Sequence, residues 1–229
     1  MSLLTQWNNT KNNLNLALAY SNCILTHALP HVSLEYVIWD DRNPSTLHSW
    51  IDSGIQLYNN SHWTIEFTIN FRSIFNYQHL LFNYENTTGG SKENETWVYN
   101  TGVLAIRLNN VKYEHSVRLV ANTDYTIRIE LNGTALSVTV NGTTNSWSGV
   151  NTSQKSYTVK IGDIKTNDGD NGKIYAYVKK IKFTDGTNTL MDLSPVIKLL
   201  DNTAYLYDTI SDRYLAPNNV AFTAGPIIS

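Results

Sequence analysis

The chain has 229 residues, 41% hydrophobic, 11% aromatic and only 16% charged, with 14 Tyr and 6 Trp. One all-β sandwich of this length is ordinary, and a Tyr-, Trp- and Thr-rich composition suits strands better than solvent-facing helices. A formal net charge of -2 argues against nucleic acid as partner, the lone Cys23 excludes an intrachain disulfide, and no apolar run approaches a membrane-spanning length.

In chain order, the opening MSLLTQWNNT has no basic stretch followed by an apolar run, so no export signal is expected. Leu4, Trp7, Lys11, Leu14, Leu18, Ser21 and Leu25 follow alternating spacings of three and four, a short heptad-like seam. This predicts a helical segment over 1–30 that oligomerises or docks through Leu4, Trp7, Leu14, Leu18 and Leu25, or else lies on its own sandwich. Pro30 and Pro44 mark 27–48 as a connector, within which Val32 to Trp39 also reads as a strand.

From Trp63 the period becomes two. Trp63, Ile65, Phe67, Ile69 and Phe71 alternate with polar residues, and the pattern returns at 104–108, 125–131, 136–140 and 157–161, with further runs at 174–178 and 181–183. Half-wet strands with no helix-length crossover predict an antiparallel sandwich over 31–229. Asn132-Gly133 predicts a tight hairpin between two of these strands, and 85–95, 141–154 and 166–172 read as exposed loops. Asn-x-Ser/Thr triplets at Asn86, Asn94, Asn132, Asn141 and Asn151 follow from composition alone.

Several short stretches carry a likeness: Leu34-Glu35-Tyr36-Val37, Ser49-Trp50-Ile51-Asp52-Ser53-Gly54-Ile55, the 63–71 strand, and Tyr177 to Phe183. The close adds Asp192-Leu193-Ser194-Pro195-Val196, Tyr205-Leu206-Tyr207-Asp208-Thr209, Arg213-Tyr214 and Phe222-Thr223-Ala224-Gly225-Pro226. Together they resemble the concanavalin A-like, laminin-G-like domains of bacteriophage structural and fibre proteins. Leu206, where that family usually has Gly, and Asn218 to Ala221 depart from its pattern. The resemblance implies a two-sheet jelly roll in a virion appendage assembled in the host cytoplasm. It also implies other virion proteins as neighbours and a host-surface glycan or protein as partner.

Catalysis is not expected. The paired carboxylates of a sandwich glucanase are missing, and Glu93-Asn-Glu95 sits in a polar, Gly-flanked stretch that reads as solvated. Six scattered His make no zinc motif, and neither a nucleophile elbow nor a phosphate loop occurs. No cofactor is expected, and calcium, at Asp163, Asp168 and Asp170, is the metal worth naming, although Asp-Gly and Asn-Gly are also plain turn dipeptides. For a sugar, Trp97, Tyr99 and Trp147 flank polar segments and could stack on pyranose rings, while Tyr205, Tyr207 and Tyr214 read as packing of the closing strands. The sequence therefore predicts a non-enzymatic, homo-oligomeric (dimeric or trimeric) virion appendage for host attachment. A decoration protein without a ligand, and a glycan-active enzyme, are the alternatives.

Overall fold

The computed structural model describes residues 10–15, 17, 31–42, 49–58, 61–75, 77–83, 94–109, 111–150, 152, 156–162 and 173–228. The strands are β1 (His31–Ser33), β2 (Val37–Asp40), β3 (Trp50–Tyr58), β4 (Trp63–Phe71), β5 (Gln78–Asn83), β6 (Asn94–Val98), β7 (Val103–Leu108) and β8 (Val111–Arg118). They continue with β9 (Asp124–Asn132), β10 (Ala135–Val140), β11 (Thr143–Ser148), β12 (Ser156–Gly162), β13 (Tyr175–Thr184), β14 (Thr189–Lys198), β15 (Thr203–Asp208), β16 (Arg213–Leu215) and β17 (Thr223–Ala224).

Two antiparallel sheets face each other. The larger runs β11-β10-β9-β4-β13-β14-β15-β16, with β2 joining β13, β1 joining β14 and β17 joining β2; the smaller runs β3-β12-β5-β6-β7-β8. Alternation supplies the core between them: Phe67, Phe71, Ile127, Ile129 and Phe183 of the large sheet share one buried cluster with Ile51, Val98, Leu104, Ile106 and Val159 of the small one. Each such side chain contributes roughly 1.5–3 kcal/mol on burial. The expected all-β jelly roll is the fold observed, with a short helix at 10–15.

Two register shifts explain breaks in the sequence pattern. β13 slips against β4 between Val178 and Lys180, so Ala176 and Val178 before the bulge and Ile181 and Phe183 after it all point inward. What reads as two strands is one. A second shift, in the β3–β12 pair, sits at Gly54, whose φ is +71°.

The motifs behind the family likeness are structural fasteners. The Ser53 hydroxyl donates to Val159 O at 2.7 Å, and Arg213 reaches from the large sheet to donate to Ser53 O at 3.1 Å. Asp208, 1% exposed, accepts from the Asp192 and Ile210 amides and the Ser211 hydroxyl, which fixes the turn before β16. A Cβ on Gly225 would lie 2.4 Å from Tyr36 O, so only Gly lets β17 dock on β2. Leu206, the departure from the family pattern, fills the core with no exposed surface.

Some sequence expectations change. Asn132 pairs with Ala135, so the first hairpin turns on Gly133-Thr134, with Gly133 at φ +60°. Asn141-Gly142, both at positive φ, forms the next two-residue turn and leads into β11, which occupies part of the expected 141–154 loop. β11 is mostly polar and lies at a sheet edge, so it lacks the apolar alternation that marks its neighbours. Of the leader seam, Leu14 is 60% exposed, and Asn12 and Asn13 line a depression with Ile197, Asn202 and Ile227 of the sandwich. Leu4, Trp7, Leu18 and Leu25 lie outside the described residues. No helix among the described residues is long and apolar enough to cross a membrane.

Candidate functional site

The β6–β7 hairpin organises a cluster on the outer side of the small sheet. Its turn closes with the Gly102 amide donating to Tyr99 O at 2.8 Å and the Tyr99 amide to Val103 O at 2.9 Å. Gly102 has φ +79°, and a Cβ there would meet Leu119 O at 2.1 Å. Register then sets Trp97 beside Ala105 and Glu95 beside Arg107; β5 brings His79 to Trp97, and β8 brings Lys112 to Arg107 and Glu114 to Ala105.

Thr96, Val98, Leu104 and Ile106 are buried on the core side, so Glu95, Trp97, Ala105 and Arg107 point away from it. Such residues ordinarily meet water. Here Trp97 is 2% exposed, Glu95 4% and His79 6%. Arg107 joins the floor of the cluster, its guanidinium 5.1 Å from the Trp97 ring centroid and 3.2 Å from Glu95 Oε2. The indole Nε1 of Trp97 has no hydrogen-bond partner among the described residues.

A rim stands on this floor. Tyr99 meets Trp97 edge-on at 5.6 Å and Tyr77 at 5.0 Å, so each ring fixes the next. Tyr77 is 40% exposed and holds φ +41°, a conformation that costs a residue with a side chain roughly 1–3 kcal/mol and clusters at binding sites. Lys112 lies 5.6 Å above the Tyr99 ring and 2.7 Å from Glu114, whose carboxylate holds the ammonium above its usual range. Asp52 and Lys160 pair further along the same face, which keeps Asp52 below the usual carboxylate range. The result is an aromatic shelf with both signs of charge at its edge, suited to stacking a ring and hydrogen-bonding its hydroxyls.

Of the residues picked from sequence, the structure brings Trp97 and Tyr99 together and sets Trp147 apart. Trp97 is too buried to offer a stacking face and instead braces Tyr99. Trp147 lies on β11 of the other sheet, half-buried, 5.5 Å from Tyr113. It lines a depression of about 430 Å³ with Glu130, Asn132, Ser137, Ser146 and Ser148. Asp163, Asp168 and Asp170 lie outside the described residues, and among those described no group of three or more His, Cys, Asp or Glu is placed to hold a metal ion.

Glu95 corrects the sequence reading. It belongs to β6, not to a solvated loop, and its carboxylate is buried against Arg107. Tyr77, His79, Arg107, Lys112 and Glu114 were not singled out from sequence. The signal available was the short 99–102 turn, which fixes the β6–β7 register and so sets Arg107 diagonally across from Trp97.

No protein-family model matches the chain, and no curated protein matches it. Among solved structures, it is similar to a candidate carbohydrate-binding protein of Bacteroides ovatus, with a TM-score of 0.55 at 11% identity, covering 86% of this chain and 62% of that one. The chain thus spans less than two thirds of that protein. It is also similar to a heptameric SAP-like pentraxin of Limulus polyphemus, with a TM-score of 0.48 at 14% identity over 69% of this chain and 78% of that one. An alginate lyase, A1-II', follows with a TM-score of 0.43 at 13% identity over 58% of this chain and 66% of that one. At these identities the likeness is one of fold.

Proposed function

We propose that this chain is a non-enzymatic, lectin-like binding module of a phage virion appendage, oligomeric through its leader, which attaches to a glycan on the host surface. The carrying observation is the Tyr77–Tyr99 shelf on the outer face of the small sheet, with Lys112 and Glu114 beside it. A pre-formed aromatic surface loses little side-chain freedom on binding, and several copies on one appendage multiply weak contacts. The fold shared with a candidate carbohydrate-binding protein supports the ligand class. The entry and exit motifs support the virion setting, and exposed Leu14 supports assembly through the leader.

A second reading, a glycan-active enzyme, is favoured by the presence of His79, Glu95 and Arg107 together under the shelf. Against it, the Glu95 carboxylate is engaged by the Arg107 guanidinium.

The test is a glycan array probed with the full chain, together with incubation of any bound polysaccharide. The proposal expects binding without shortening of the polysaccharide. Chain cleavage would establish the enzyme instead, and a blank array that includes host-surface polysaccharides would contradict the lectin reading.

A further inference from the structure

The outer face of the large sheet is divided. Over β4, β9, β13 and β14 it carries charge pairs within and between strands. Arg128 bonds Glu66 at 2.5 Å and Glu130 at 3.0 Å, His62 meets Glu130 at 2.8 Å, and Lys180 pairs with Asp192 at 2.5 Å. Toward β15 and β16 the same face turns aromatic. In β15, Ala204, Leu206 and Asp208 are buried, so Tyr205 and Tyr207 stand on the opposite, outer side, with Tyr214 of β16 directly across from Tyr207.

These rings form a braced patch. Tyr214 lies 5.1 Å from Tyr207 and 5.5 Å from Tyr205, while the His31 ring sits 4.2 Å from Tyr207 and its Nδ1 3.0 Å from the Tyr214 hydroxyl. The Tyr207 hydroxyl donates to Asp212 at 2.6 Å and the Tyr205 hydroxyl to Asp201 at 3.1 Å. Lys198 Nζ lies 4.9 Å from the Tyr214 ring centroid and 3.9 Å from Asp201. The rings are thus held in place, while Asp201 and Asp212 remain exposed to accept further hydrogen bonds.

We propose that Tyr205, Tyr207 and Tyr214, with Lys198, Asp201 and Asp212, form a second carbohydrate platform that takes a neutral sugar of a glycan chain. The electron-rich ring faces suit the C–H face of a pyranose, and two carboxylates with one ammonium suit its hydroxyls. The charge balance selects against acidic sugars. Lys198 contributes +1 and Asp201 and Asp212 contribute -2, leaving -1, since Arg213 turns its guanidinium away to Ser53 and Ser211. Burial holds His31 below its usual range, which favours the neutral ring. The platform stands on a different sheet from the Tyr77–Tyr99 shelf and stands or falls independently of it.

Ring-labelled tyrosine NMR on the full chain tests this with neutral hexasaccharides of glucose, mannose, galactose and N-acetylglucosamine, and with oligogalacturonate as the acidic probe. The expected result is that at least one neutral sugar shifts Tyr207 and Tyr214. Its affinity then falls about tenfold in Tyr207→Ala with Tyr214→Ala, and less than about twofold in Tyr99→Ala. If the double variant does not fold, Lys198→Ala and Tyr207→Phe replace it, each expected to weaken binding about threefold. The proposal is overturned if no neutral hexasaccharide moves these tyrosines, if the variants bind as wild type does, or if oligogalacturonate binds there more tightly.

Discussion

The two outer faces of this sandwich solve the same problem in opposite ways. On the large sheet, outward side chains such as Glu66, Arg128 and Glu130 stay partly exposed and pair with one another, with side-chain exposures of 38%, 42% and 28%. On the small sheet, β6 is buried on both sides from Glu95 to Val98. An outward charge at 3% side-chain exposure, even matched by a guanidinium, is costly to maintain. This contrast, more than any single residue, points to the small-sheet face.

Unfolding measurements separate the two faces. Arg107→Ala leaves the Glu95 charge in a buried setting and should lower unfolding free energy by about 3 kcal/mol in urea titrations. Arg128→Ala deletes an arginine that meets two carboxylates, Glu66 and Glu130, but on the exposed face, and should cost less than about 1 kcal/mol. Equal losses would mean that the two faces are energetically alike.

A smaller effect should appear on acidification. His62 and Arg128 hold Glu130 below its ordinary 4.5, and Lys179 and Asn70 hold Asp124 below its ordinary 3.8. Carboxyls depressed in the folded state contribute stability that is fully present above those ordinary values and lost as pH falls through the lowered folded ones. The melting temperature should therefore drop below about pH 4.5, with a shallower drop in Arg128→Ala. An unchanged slope in that variant would remove Glu130 from the account.

The strands from Trp63 onward were legible because one face is dry and the other wet, which gives the sequence a clean period of two. β13 was legible only in halves, because the bulge between Val178 and Lys180 resets that period. β11 escaped notice because a polar edge strand needs no apolar stripe. Glu95 reads as solvated for a related reason: its surroundings in sequence are polar, and the guanidinium it meets belongs to Arg107, twelve residues away. From sequence, the tyrosines of β15 and β16 read as closing-strand packing. They do pack on one another, but parity places them on the outside, and only the burial of Ala204, Leu206 and Asp208 fixes that parity.

If the Tyr77–Tyr99 shelf holds a glycan, calorimetric titration with the tightest glycan from an array separates Tyr99→Ala from Trp147→Ala. The shelf predicts a loss of about tenfold or more for Tyr99→Ala and a change under about twofold for Trp147→Ala. Full affinity in Tyr99→Ala, with loss in Trp147→Ala, would move the site to the depression beside β11.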